Sequence, residues 1–252
     1  MNVLVCGKGN IGKHVVEELD CNAEINIHTC DKGDMWPQNN HYDFTIICVP
    51  TEDKGNGEVD LTEVYDCFDR FAEVTDLFII RSAVPVGTGD DLYLKYNVPV
   101  VVSPEFWGTT KNCPEPDTMI LGGYSDFTNR VAELYNKVKN GYFHYVFTDY
   151  KTAELTKYME NCWIATKVTF CNEFAKIASK FGVNYNELRE CWLADKRVSP
   201  SHTLVYSDKP YYDSHCLNKD IPALLWMCKD MNVPLMTSVD KINKEAKNCQ
   251  QG

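Results

Sequence analysis

The chain has 252 residues, 44% of them hydrophobic and 12% aromatic, with a formal net charge of −11. That length holds one large domain or two modest ones, and the acidic balance argues against nucleic acid and anionic membrane as partners. Twelve cysteines are scattered singly, with no C-x-x-C and no Cys/His spacing suited to zinc. No metal is therefore expected, and reduced thiols in a cytoplasmic setting are. The first ten residues lack a basic n-region and a cleavage site, and no apolar run is long enough for a bilayer. Neither a signal peptide nor a membrane span is expected.

Residues 2–6 are a short apolar run that predicts a buried strand. Gly7-Lys8-Gly9-Asn10-Ile11-Gly12 follows at once, and Ile11, Val15, Val16 and Leu19 then recur at helical spacing. Strand, G-x-G-x-x-G and helix in that order predict a dinucleotide site. The glycines permit a tight turn and let backbone approach a pyrophosphate at the helix N-terminus. Ile25 and Ile27 belong to the next strand, and Asp31 lies nineteen residues after Gly12. An acidic residue ~20 residues on hydrogen-bonds the ribose 2′-OH and favours NAD over NADP. His28 and Cys30 compete with Asp31 for the strand-end position.

Further buried strands are predicted at 44–49, 77–80, 98–102 and 119–121, with helices at 60–72 and 129–138. Pro50 ends the first of these strands at its carboxyl end, where open α/β sheets bind ligands. Alternating strands and helices imply a Rossmann-like, doubly wound, mostly parallel sheet over residues 1–148. The stretch 149–181 then contains neither proline nor glycine and predicts one long central helix, N-capped by Asp149 and stopped at Gly182. Lys157 and Asn161 lie four apart on it, and Asn172 falls on nearly the same side. They form either an exposed stripe, the commoner fate of a lysine, or an active-site wall. Helices at 221–231 and 235–247, before a polar tail, complete a small all-helical domain over 149–252.

Val49-Pro50-Thr51, the 82–88 stretch and Ser103-Pro104-Glu105-Phe106 stand in the order seen in the UDP-glucose/GDP-mannose dehydrogenase family. The central helix, with Glu154, Lys157, Asn161 and Asn172, and the segment Ser214-His215-Cys216-Leu217-Asn218-Lys219-Asp220 are similar to that family as well. The resemblance implies an NAD-dependent oxidation of C6 of a nucleotide-linked hexose from alcohol to carboxylate. UDP-glucose is the first expectation, with GDP-mannose and UDP-N-acetylmannosamine as alternatives. It implies catalytic roles for Cys216 as nucleophile, Lys157, Asn161, Asp220 and Glu105. Gly7, Gly9, Asn10, Ile11, Gly12, Asp31, Val49, Pro50, Thr51, Ser82 and Lys219 would serve the cofactor, and Phe106, Asn172 and Arg197 the substrate. The chemistry suits these residue types, because an aldehyde gives up a second hydride only after a nucleophile such as a thiolate has added to it. Asp220 reads equally as the N-cap of a helix starting at Ile221, with Pro222 in its first turn.

Three departures stand out. Ala83 replaces the family's threonine, and Asp213 and Ser214 replace its paired glycines before the cysteine. The resemblance also covers only the first two of the family's three domains. A neighbouring subunit, a separate protein or a smaller substrate could compensate for the nucleotide-gripping domain. A degenerate module that binds NAD without turnover is the non-enzymatic alternative. The length of the central helix and the resemblance together imply a homodimer through it.

Overall fold

The computed structural model describes residues 1–34, 40–106, 117–139, 141 and 143–251. Seven strands, β1 (Asn2–Cys6), β2 (Asn26–Cys30), β3 (Phe44–Ile47), β4 (Phe78–Ile80), β5 (Val100–Val102), β6 (Thr118–Gly122) and β7 (His144–Thr148), form one sheet in the order β2-β1-β3-β4-β5-β6-β7. All neighbours are parallel except β5 and β6. The order turns back between β1 and β3, which makes that edge the crevice where a doubly wound sheet takes its ligand.

Alternation along the strands supplies two cores. Val3, Val5, Ile46 and Ile79 face α1 (Asn10–Leu19) and α4 (Ser125–Asn136). Leu4, Cys6, Ile47 and Ile80 face α2 (Thr62–Phe71) and α3 (Thr88–Tyr96). The sheet is thus covered on both sides, as the near-continuous apolar strands require.

Helix α5 (Tyr150–Lys180) runs for 31 residues. Asp149 caps it through Thr152 N, at 2.9 Å, and the Thr152 hydroxyl. Gly182, at φ 69°, stops it, and Val183 N reaches back to Ala178 O at 2.9 Å, the six-to-one bond of a Schellman end. Both ends were legible from the sequence. Helices α6 (Tyr185–Leu193), α7 (His215–Met227) and α8 (Pro234–Gln251) follow.

The chain divides into two compact units. One comprises Met1–Lys54 and Val59–Lys157, the other Gly55–Glu58 and Tyr158–Gly252. The second has its own small core of Cys162, Ala165, Tyr212, Leu217, Ile221 and Val239.

Several expectations are corrected. β7 and α3 carry too weak a pattern to be read from the sequence; β7 is largely exposed. The expected helix at 221–231 begins six residues earlier, capped by Ser214, whose hydroxyl accepts from Leu217 N at 3.2 Å. Asp220 therefore sits inside α7 and is not its N-cap, while Pro222 is accommodated in mid-helix. The last helix also runs on to Gln251 where a polar tail was expected; Gly252 lies outside the described residues.

Candidate active site

In the first unit the glycine loop joins β1 to α1. Gly7 has φ 97°, and a Cβ there would lie 2.6 Å from Cys48 O. A Cβ on Gly12 would lie 1.9 Å from Gly7 O, so the helix can pack on the loop only with hydrogen at that position. A Cβ on Gly9 would meet nothing within 4 Å, and Gly9 caps α1 without any side-chain bond. Gly9 and Asn10 are exposed, so the start of α1 offers its first N–H groups at the positive end of a helix dipole. Asn10 and Ile11 open that helix. Asp31, just past β2, accepts from Lys8 N at 3.0 Å and Lys32 N at 2.8 Å, so it is fastened to the same loop. A dinucleotide fits these residues: a backbone cradle for its pyrophosphate and a carboxylate beside it for its ribose.

Beyond β3, Val49, Pro50 and Thr51 form the next loop. Ser82 Oγ donates to Val49 O at 2.6 Å, and Thr51 Oγ1 donates to Ala83 O at 2.7 Å. The loops after β3 and β4 are thereby stitched together at the carboxyl end of the sheet. Glu105 is 5% exposed and forms a buried ion pair with Arg81, which also donates to Ser103 Oγ at 2.7 Å. A buried charge needs such a partner. Phe106 follows, and Lys157 Nζ lies 4.9 Å from the centre of its ring. Sequence reasoning missed Arg81; a charged residue directly after a fully buried strand was the available signal.

In the second unit Cys216 is exposed in the first turn of α7, so its thiol is accessible. Burial pushes the Cys48 and Cys162 thiols up to about 12, which makes them inert at neutral pH. Asp220 lies one turn beyond Cys216 and is 1% exposed. It accepts from Asn161 Nδ2 at 2.5 Å and from Lys219 Nζ at 2.6 Å. Three of the residues singled out from the sequence thus form one buried network, although Asn161 and Asp220 are 59 positions apart. The network employs Lys219 on Asp220.

Asn172 is buried, donates to Val168 O at 2.9 Å, and among the described residues leaves its Oδ1 without a hydrogen-bond partner. It lines a groove of about 600 Å³ with Lys176, Tyr185, Tyr206 and Ser207. Arg197 is exposed and held by Asp195 at 2.5 Å. Asp213, one of the departures, points to neither cluster: it is gripped by Lys247 at 2.8 Å, Lys209 at 3.1 Å and Asn218 at 2.9 Å. These bonds hold its carboxyl well below the usual range.

Among the described residues no group of three or more His, Cys, Asp or Glu is placed to hold a metal. No helix among them is long and apolar enough to cross a membrane.

Similarity to known proteins agrees with this geometry. The chain is 30% identical over 217 residues to a UDP-glucose 6-dehydrogenase of Rickettsia conorii, covering 81% of this chain and 49% of the relative. It is 32% identical over 214 residues to a UDP-N-acetyl-D-mannosamine dehydrogenase of Methanocaldococcus jannaschii, covering 80% and 48%. The chain therefore spans about half the length of these relatives. In fold it superposes on a UDP-glucose dehydrogenase from Pyrobaculum islandicum with a TM-score of 0.82 at 19% identity, covering 97% of this chain and 68% of that one. Residues 15–139 match the NAD binding domain of the UDP-glucose/GDP-mannose dehydrogenase family and residues 151–245 its central domain, with nearly the whole chain between them, so the chain belongs to that family.

Proposed function

We propose that this chain carries out the NAD-dependent, four-electron oxidation of a nucleotide sugar at C6, from alcohol to carboxylate, with UDP-glucose as the substrate to test first. The observation that carries the reading is the Asn161–Asp220–Lys219 network, built one turn from an accessible thiol. Two NAD⁺, held in turn by the glycine loop and Asp31, would each accept one hydride. The chain supplies the rest. Lys157 offers positive charge to an oxyanion at C6, and Asn161 offers an N–H. Cys216, as thiolate, adds to the aldehyde carbon to give a thiohemiacetal; loss of the second hydride leaves a thioester. Water cleaves the thioester, releasing the carboxylate and returning the thiol. Asp220 and Glu105 are the carboxylates available to move protons. Arg81 keeps Glu105 in place for that work.

Asn172 and its groove are assigned to the substrate, since an orphaned amide oxygen in a polar cleft accepts from a sugar hydroxyl or a base N–H. Arg197 is assigned to the same ligand. A homodimer is part of the proposal. Met159, Trp163, Phe170, Phe174, Ile177 and Phe181 lie exposed along one side of α5, opposite the side of Lys157, Asn161 and Asn172. An exposed apolar stripe of that length calls for a second copy. Sedimentation should show a dimer, and Trp163→Glu should yield monomer. A cytoplasmic location follows from the reduced-thiol reading.

The test is NADH formed per sugar consumed, with UDP-glucose, GDP-mannose and UDP-N-acetylmannosamine in parallel. Two NADH per sugar supports the four-electron route. One removes the thioester step. None, with NADH binding shown separately, favours a module that holds the cofactor without turning over.

A further inference from the structure

Helix α3 has no cap of its own. Its N-cap is Gly87, in the left-handed region at φ 99° and without a side-chain bond. The first N–H groups of a helix need acceptors. Here they find them on another helix: Gly87 N donates to Glu154 Oε2 at 2.5 Å and Gly89 N to Glu154 Oε1 at 2.7 Å. Glu154 is on α5, is 2% exposed, and precedes Lys157 by three residues. The segment it secures is the loop after β4. Thr88 Oγ1 fastens that loop to Pro85 O at 2.7 Å, and Ala83 O and Ser82 Oγ bind it to the loop after β3. The 82–89 segment is therefore hydrogen-bonded at one end to α5 and at the other to the loop after β3, at the crevice where the strand order turns back.

We propose that Glu154 is a positioning residue for the cofactor: it caps α3 from α5 and so holds the 82–88 loop at the carboxyl end of the sheet, and the hold weakens when the carboxylate takes up a proton. A neutral carboxyl offers one good acceptor oxygen to two N–H groups, so one of them loses its partner. The groups around Glu154 place this change near neutrality. Burial acts first, and Asp90 and Asp91 in the first turn of α3 act in the same direction, while the two N–H bonds oppose them; the carboxyl is pushed up to about 7. Tyr150, a turn earlier on α5, carries a phenol pushed up by burial, with Glu154 adding to the shift. It stays neutral over this range.

The inference rests on the cofactor lying at this end of the sheet, so the test reads binding and backbone amides and not turnover. NADH affinity is measured by fluorescence from about pH 6 to about pH 8.5, bracketing a carboxyl that titrates near neutrality. The wild-type dissociation constant should rise roughly fivefold toward the acid end, at the low end of coupling between sites. Glu154→Gln, which offers one oxygen and a clashing NH₂, should be weakened by a similar factor at every pH, with a flat profile. A wild-type profile that is flat, or a variant that keeps the wild-type slope, overturns the proposal. If the variant fails to fold, the wild-type amide resonances of Gly87 and Gly89 decide. Joint titration near pH 7 supports the cap as described, and no titration across the range overturns it. Absence of NADH binding at any pH would instead sink the cofactor reading, and the amide titration would still report on the cap.

Discussion

The two units build their sites from different material. The first makes its cofactor cradle out of backbone: a glycine loop, the bare N-terminus of α1, and loops stitched by Ser82 and Thr51. The second makes its cluster out of side chains, with Asn161, Lys219 and Asp220 meeting in a buried network beside Cys216. A backbone site fails when atoms are added to it, and a side-chain site fails when atoms are taken away. Mutations should therefore act with opposite logic in the two units.

The largest expected effect belongs to the second unit. Cys216→Ser should lower kcat for acid formation by on the order of 10³-fold, about 4 kcal/mol, because the hydroxyl is the weaker nucleophile. Its exposed position predicts stability unchanged to within about 0.5 kcal/mol. NADH affinity should be unchanged as well. A variant that turns over normally would remove the nucleophile from the scheme. Asp220→Ala comes next. It removes the buried acceptor of the Asn161 amide and the Lys219 ion pair and should cost about 1–3 kcal/mol in denaturant unfolding. A loss below about 1 kcal/mol would mean that the network is looser than its geometry.

In the first unit the damaging change is an addition. Gly12→Ala puts a methyl 1.9 Å from Gly7 O, and the atom in the way is backbone, which cannot swing aside. The loop must shift, at about 1–3 kcal/mol, and NADH affinity should fall about 10- to 100-fold. Gly9→Ala is the internal control, since a Cβ there meets nothing within 4 Å among the described residues, so a fall in NADH affinity would report a bound ligand close to it.

The same division explains what could be read from the sequence. The glycine spacing announced itself because no other residue satisfies the close approach at Gly7 and Gly12. β1, β3, β4 and β5 were legible because both their faces are buried and the runs are apolar throughout. β7 was not, because it lies at the sheet edge with His144, Val146 and Phe147 exposed, so no burial pattern marks it. α3 was not legible because its cap arrives from Glu154, 65 to 67 residues away, and the local sequence holds no capping side chain. The start of α7 was misplaced because Pro222 outweighed the Ser214 cap, which lies eight residues earlier. The side-chain cluster was reachable only through family resemblance, since a bond between positions 161 and 220 leaves no trace in any local window. The apolar and small residues of α5 fall on two sides of it. Cys162, Ala165 and Thr169 are buried, while Met159, Trp163 and Phe181 face outward.

Asp213 gives the smallest effect and the finest distinction. Where the family carries glycine, a carboxylate threatens to repel an anionic substrate. Its bonds argue otherwise. Lys247 from α8, Lys209 and Asn218 neutralise it and fix the loop that leads into α7. The side chain is 38% exposed, so solvent screens these pairs and their joint worth is about 0.5–1 kcal/mol. The depressed pKa sets the sign. This contribution is present above the ordinary carboxylate range near 4 and is lost as pH falls through the lowered value. Asp213→Gly should therefore lower stability slightly at neutral pH, converge with wild type in acid, and leave UDP-glucose affinity unchanged. If affinity instead rises severalfold in the variant, Asp213 acts on the substrate. The second unit would then owe part of its specificity to that charge.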